Sequence, residues 1–152
     1  MIDGRGAPNG TRDPLGDSEP VVACCEEAVA RLAKRLPRAE IGCLLRVGDT
    51  FRHVAHSGRL RMIFEVGREQ GGVVWRAADR GEIQLVRDVR SDPDYLASDE
   101  RIVSEIAAPV TIGGEVVAVL DVEFPERAFD ETEAEAVAEA AEQLDSELEP
   151  YV

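Results

Sequence analysis

Two acids interrupt an apolar run late in the chain, Val119-Leu120-Asp121-Val122-Glu123. Side chains alternate along a strand, so Asp121 and Glu123 share one face if this run is extended. Glu105 stands at the head of a second apolar run, Ile106 to Ile112, and joins them if the two runs pair. Carboxylates gathered away from water are costly unless a cation or hydrogen-bond donors meet them, so three converging acids favour an amine or guanidinium ligand. Paired carboxyls can also act as acid and base, although no nucleophile accompanies them in the sequence. A competing reading has the same acids facing solvent, or neutralised by Arg59, Arg61 or Arg76.

The sulfur and imidazole groups offer less. Cys24, Cys25 and Cys43 form no C-x-x-C pair and have no zinc-ligand spacing. On a helix the neighbours Cys24 and Cys25 diverge by about 100°, so they cannot readily bond to each other or share a metal. Inert thiols in a reducing compartment are the expectation. His53 and His56 lie an odd number of residues apart on an expected strand and should face opposite sides, which argues against a metal between them.

The formal net charge of −14 repels phosphate backbones and anionic lipid headgroups, so neither nucleic acid nor a membrane surface is an expected partner. Arginines 59, 61, 68 and 76 are the one basic concentration, interleaved with apolar residues as solvated edges would be. With 44% hydrophobic residues in 152, the chain fits one globular domain able to bury a core without disulfides or metal. It contains no membrane-length apolar run, and its start lacks a signal peptide's apolar stretch, so a cytoplasmic location is expected.

The elements that must position the acids follow from periodicity. Residues 1–19, rich in Gly, Pro, Asp and Asn, read as a flexible leader. From Pro20, the spacing of Val22, Cys25, Val29, Leu32 and Leu36 predicts a helix that Pro37 ends. Glu40 to Val47 and Phe51 to His56 read as a hairpin across Gly48-Asp49. Arg59 to Val66 is open between strand and short helix, Gly67 to Gly72 is a loop, and a short helix from Gly72 closes at Arg80-Gly81. After a short strand at Ile83 to Val86, Ser91-Asp-Pro-Asp reads as a turn and Ser98-Asp-Glu as a helix cap. Ile106 to Ile112 and Glu115 to Glu123 form a second hairpin across Gly113-Gly114. Asp130 with Glu133 then begins a last helix with Val137, Ala141, Leu144 and Leu148 on one face. Hairpins between terminal helices indicate an α+β domain.

Ordered along the chain, several short motifs resemble a GAF domain over about residues 20 to 148. They are Gly72 to Ala78, Asp88-Val89, Asp92-Pro93, Ser104-Glu105-Ile106 with Pro109, Gly114, Val119-Leu120-Asp121 and Phe129-Asp130. Within that superfamily the segment from Gly72 to Asp130 is most similar to the free methionine-(R)-sulfoxide reductases. Those enzymes carry Gly-Val-Cys-Gly where this chain has Gly72-Val73-Val74-Trp75, and Ile-Ala-Cys-Asp at Leu96-Ala97-Ser98-Asp99. A third family cysteine would fall near Phe64, and the family's Asn-Trp-x-Gly-Phe-Tyr signature is absent from the first half. Sulfoxide reduction needs one thiol to attack and another to resolve, so the resemblance implies the fold and its pocket without that activity.

The resemblance also assigns roles. Glu105, Asp121 and Glu123 fall at the acidic positions with which the family holds a free amino acid. Trp75, next to a lost cysteine position, would stack on a ligand, cover the pocket mouth or fill the core. Tyr95, Ser98 and Asp99 fall on or beside the loop that covers the family pocket. No cofactor is implied, since tetrapyrrole-binding members use a pocket Cys or His that does not appear where needed. Of the cyclic-nucleotide signature, only Phe129-Asp130-Glu131 remains.

The expectation is a GAF-like central antiparallel sheet with the terminal helices on one face and the ligand-pocket loops on the other, in a single domain of residues 20–152. Its expected job is non-catalytic small-molecule sensing or regulation in signalling. The alanine-rich stretch EAEAVAEAAEQL would let the terminal helices approach closely in a homodimer. The alternatives are a ligand-free interaction module, its pocket filled by Trp75, Phe64 and Val74, and a divergent reductase.

Overall fold

The first helix, α1 (Glu19–Arg35), opens with Ser18 extended and Pro in the first turn, where a missing N–H costs nothing. Glu19 in its first turn and Lys34 and Arg35 in its last complement the helix dipole. The computed structural model describes residues 15–60 and 63–152, so residues 1–14 of the expected leader, and Arg61, lie outside the described residues.

A hairpin of β1 (Glu40–Val47) and β2 (Thr50–Ser57) follows, then β3 (Glu65–Gly67), α2 (Gly72–Arg80) and β4 (Gln84–Val86). A long crossover leads to the second hairpin, β5 (Ile102–Ile112) and β6 (Glu115–Pro125), and then to α3 (Glu131–Leu148). The strands form one six-stranded sheet in the order β3-β2-β1-β6-β5-β4, with every neighbouring pair antiparallel. The α+β expectation holds.

Alternation along the strands divides the core in two. Ile41, Cys43, Ile106, Leu120, Val122 and Phe124 pack with buried residues of α1 and α3 on one face of the sheet. Leu44, Ala107 and Val119 pack with α2 and the connecting segments on the other. Asp130 begins α3 with the expected reciprocal cap: its carboxylate accepts from Glu133 N–H at 2.8 Å, and the Glu133 carboxylate accepts from Asp130 N–H at 2.9 Å. The α3 residues Ala134, Ala136 and Ala141 are buried within their own chain. Their small size therefore seats α3 on its own domain, and its exposed side carries Glu135, Glu139 and Glu142 beside the uncharged Thr132, Gln143 and Ser146.

Three local expectations are corrected. β5 begins at Ile102, so Glu105 lies inside the strand and not at its head. Ser98-Asp99-Glu100 caps no helix; Asp99 instead accepts from the backbone and guanidinium of Arg101, closing a turn. His53 and His56 face the same side, because the β1–β2 register shifts at Cys43/Leu44. Cys43 pairs with Ala55 and Leu44 with His53, leaving Val54 as an extra residue that resets the alternation.

Candidate functional site

The sheet face opposite the terminal helices carries the acids. On β6, Asp121 lies between Gly42 of β1 and Ala107 of β5, and Glu123 lies between Glu40 and Glu105. Small neighbours around Asp121 leave space above it, whereas Glu123 is flanked by acids on both sides. Glu105, Asp121 and Glu123 are 4%, 7% and 4% exposed. One carboxylate oxygen from each lies within 4.8 Å of the others. At that spacing and an effective dielectric of ~20, two negative charges repel by about 3.5 kcal/mol.

A lid formed by the crossover closes over the acids. Ser98 Oγ donates to Glu123 Oε1 at 2.8 Å, and Leu96 lies directly on Gly72 at the start of α2. Gly72 has φ +93°, and a β-carbon there would come within 2.8 Å of Leu96 Cδ1, so this position requires glycine. The base of the lid is clamped by Arg76, which bonds both Asp92 oxygens at 2.9 and 2.7 Å, Asp94 at 3.0 Å and Gln84 at 2.8 Å. Arg76 is thus a half-buried clamp and not the solvated edge expected of it. It is committed to the lid, away from the three acids. Among the described residues no ion pair reaches Glu105, Asp121 or Glu123, and Arg61 lies outside that set.

The resulting cavity has a volume of about 30 Å³ and opens to solvent through a mouth. The three acids, Ser98 and His53 supply its polar groups, and Leu44, Ile63, Val66, Val73, Val74 and Leu96 supply apolar wall. Burial, reinforced by the neighbouring acids, holds the Glu105 carboxyl well above its ordinary range. Burial also raises Asp121, against the opposing effects of a hydrogen bond with Glu105 and of His53. Glu123 is pushed up to about 8, first by burial and then by the Asp121 charge, despite the Ser98 hydrogen bond. His53 is shifted the other way, with burial favouring its neutral form. Asp121 Oδ1 and both His53 ring nitrogens are buried with no hydrogen-bond partner.

The other expected site residues divide. Ser98 lines the cavity with the acids. Trp75 does not; it is 2% exposed, packs edge-on to Phe51 with centroids 4.7 Å apart, and donates Nε1–H to the Val66 carbonyl at 2.9 Å. Arg68, 4.2 Å from the ring centroid, covers its outer side. Tyr95, on the lid, packs against the second core cluster, its buried hydroxyl without a partner and its pKa raised by burial and then by Glu123 and Glu105. Asp99 turns away to Arg101, which holds its carboxyl down at about 2. Phe64 is 63% exposed and fills nothing.

Sequence reasoning overlooked Glu40 and His53. Glu40 accepts from Arg59 N–H at 3.0 Å and Leu60 N–H at 2.8 Å, pinning the β2–β3 connection beside the acids. Gly58, with φ +145°, makes room for this, since a β-carbon there would overlap the Glu40 carboxylate. The available signal was the acid at the head of Glu40-Ile-Gly-Cys, in phase with Gly42 and Leu44. For His53 no signal existed, because the bulge that turns it inward is set by pairing.

A pocket between an antiparallel sheet and a lid, with the terminal helices behind the sheet, defines an α+β domain of the lidded-pocket kind. The family model described as GAF domain matches residues 19–149, and the chain belongs to that family. GAF domains commonly serve as small-molecule-sensing or regulatory modules. Among curated proteins, Protein YtsP of Bacillus subtilis is 33% identical over 78 residues, 51% of this chain and 48% of that protein. The match thus spans about half of that relative's length. A solved free methionine-R-sulfoxide reductase from Neisseria meningitidis, in complex with its substrate, is similar with TM-score 0.74 and 27% identity over 84% of this chain and 77% of the other. The GAF domain of a phosphoenolpyruvate-protein phosphotransferase from Coxiella burnetii shares the fold, with TM-score 0.71 and 18% identity over 86% and 83% of the two chains.

Proposed function

We propose that this GAF domain is a non-catalytic small-molecule sensor whose pocket takes the amine head of a small ligand between Glu105, Asp121 and Glu123. The observation that carries this reading is the burial of three acids within 4.8 Å of one another, with no ion-pair partner among the described residues. A primary ammonium supplies three donors to such a set, and the apolar walls suit a short aliphatic body. Against thiol chemistry stands the placement of the thiols. Val74 and Ser98 line the cavity at the two positions where the reductases carry cysteine. Cys25 and Cys43 are buried in the core on the opposite face of the sheet, and Cys24 packs at its edge.

The cavity is too small for a whole amino acid, so the lid must open further for entry and close again on the ligand. Binding then shifts the lid's conformational balance, and α2 and the sheet carry the change toward the terminal helices, through which the domain would signal as a homodimer. The same small cavity favours a second reading, a ligand-free interaction module whose lid stays shut. A thermal-shift screen against free amino acids, methionine sulfoxide, polyamines and nucleotides separates them, repeated with Glu105→Gln and Asp121→Asn. Stabilisation by amine-bearing compounds, lost in both variants, is the expected outcome. Absence of any shift, together with unaltered variant stability, would move the assignment to the interaction module.

A further inference from the structure

We propose that the ligand-free pocket stores protons on Glu105 and Glu123, and that a cationic ligand enters by exchange, expelling the Glu123 proton. This rests on the amine-pocket reading and specifies its regulation: occupancy would report pH as well as ligand concentration. In the balanced step, R–NH3+ and the neutral Glu123 carboxylic acid become an R–NH3+ carboxylate pair and one free proton. No bond other than O–H is broken, and no oxidant or reductant takes part.

The geometry makes full ionisation untenable. Three carboxyls, none more than 7% exposed, share a cavity of about 30 Å³, too small to hydrate three charges fully. Acids this close titrate as a coupled set and lose their protons in separate steps. The groups facing them from each surrounding element do not relieve the charge. From β1, Glu40 is itself acidic and is satisfied by the backbone at 59 and 60. From β2, His53 is held toward its neutral form, and His56 lies 3.6 Å from Glu40 and not against the three acids. On the lid, Tyr95 and Ser98 are uncharged, Asp92 is taken by Arg76, and Asp99 by Arg101. From α2, Arg76 is directed into the lid.

The site of release follows from the partners. Glu105 and Asp121 hold oxygens within 4.8 Å of each other, and Asp121 Oδ1, buried without a hydrogen-bond partner, is the atom that first attracts a cation. Glu123 lies under the lid with Ser98 O–H already donating to Oε1, an arrangement ready to support its carboxylate once a cation arrives. Burial pushes the Glu123 carboxyl up to about 8, which places this exchange close to neutral pH.

The test uses the full chain with n-butylammonium, which remains charged throughout the range needed. Carboxyl carbon signals are followed by NMR from about pH 6 to 9, with and without the probe. In free protein at neutral pH, Glu105 and Glu123 are expected to give protonated signals, and saturating probe should shift Glu123 to the ionised position. The dissociation constant should fall by roughly tenfold per pH unit below the Glu123 transition and level off above it. Glu123→Gln, which preserves the shape of the neutral acid, should remain folded and lose that slope. Ionised signals from all three acids at neutral pH would overturn proton storage, while probe binding that Asp121→Asn abolishes would leave the amine pocket standing. Protonated acids with no probe binding at any pH would overturn the exchange and the amine pocket together. Binding of dimethyl sulfoxide that weakens as pH rises would then assign the protons to holding a neutral oxygen acceptor.

Discussion

At the scale of single residues, the pocket is organised by what each side chain lacks. Asp121 has a buried oxygen without a partner, and Glu123 has one hydroxyl donor for a carboxyl that two acidic neighbours flank. Ser98→Ala removes that donor and leaves Glu123 more reluctant to ionise. NMR titration of the Glu123 carboxyl should therefore show its pKa moving further above about 8, and an unmoved transition would show that the hydroxyl contributes nothing. Trp75, expected from sequence as a ligand contact or as core, is resolved as core by its hydrogen bond to Val66 and its packing on Phe51. Trp75→Ala should cost about 3–5 kcal/mol in denaturant unfolding, as expected of a large buried aromatic.

At the scale of elements, the lid is held at two points of different character. Arg76 clamps its base to α2 through Asp92 and Asp94, and Leu96 seats its far end on Gly72. Arg76→Ala strands the half-buried Asp92 carboxylate and should destabilise the fold by roughly 1–3 kcal/mol while raising amide exchange across residues 87–101. Gly72→Ala combines an unfavourable positive φ with the Leu96 contact and should cost about 1–3 kcal/mol. Protection of the lid amides should fall more than that of β6, and equal loss in both would mean that Gly72 supports the whole core and not the lid. The lid's tip was legible only as a loop, since the contacts that close it join residues far apart in sequence.

At the scale of the molecule, burying acids on the sheet makes stability depend on pH in a definite direction. Glu123 ionises near its ordinary 4.5 when unfolded and at about 8 when folded. The folded state therefore binds the extra proton, and the stabilisation is full below pH 4.5, declines as pH rises, and is lost above about 8. Glu105 acts in the same direction. His53 opposes them: its folded pKa lies below the ordinary 6.5, so it stabilises above that value and costs stability as pH falls below it. Calorimetry should accordingly show Tm falling from about pH 6.5 to 9, and Glu105→Gln with Glu123→Gln should flatten the decline. A Tm that rises over this interval would contradict the buried acid cluster.

Periodicity and turn chemistry in the sequence determined both hairpins, the caps and faces of the terminal helices, and the placement of Asp121 and Glu123 on one strand face. These are local properties, set by repeats of two or 3.6 residues and by Gly, Pro and Asp at the ends of elements. The order of the motifs carried the GAF resemblance, and with it Glu105 as the third acid. Tertiary structure alone decided that β5 extends back through Glu105, that a bulge at Val54 turns His53 toward the acids, and that Arg76 serves the lid. It also decided that Trp75 lies in the core and Asp99 outside the pocket. Each of these depends on register or on a contact between distant segments. The free energy that selects among such contacts comes from burying the assembled whole, and no single stretch of the chain contains it.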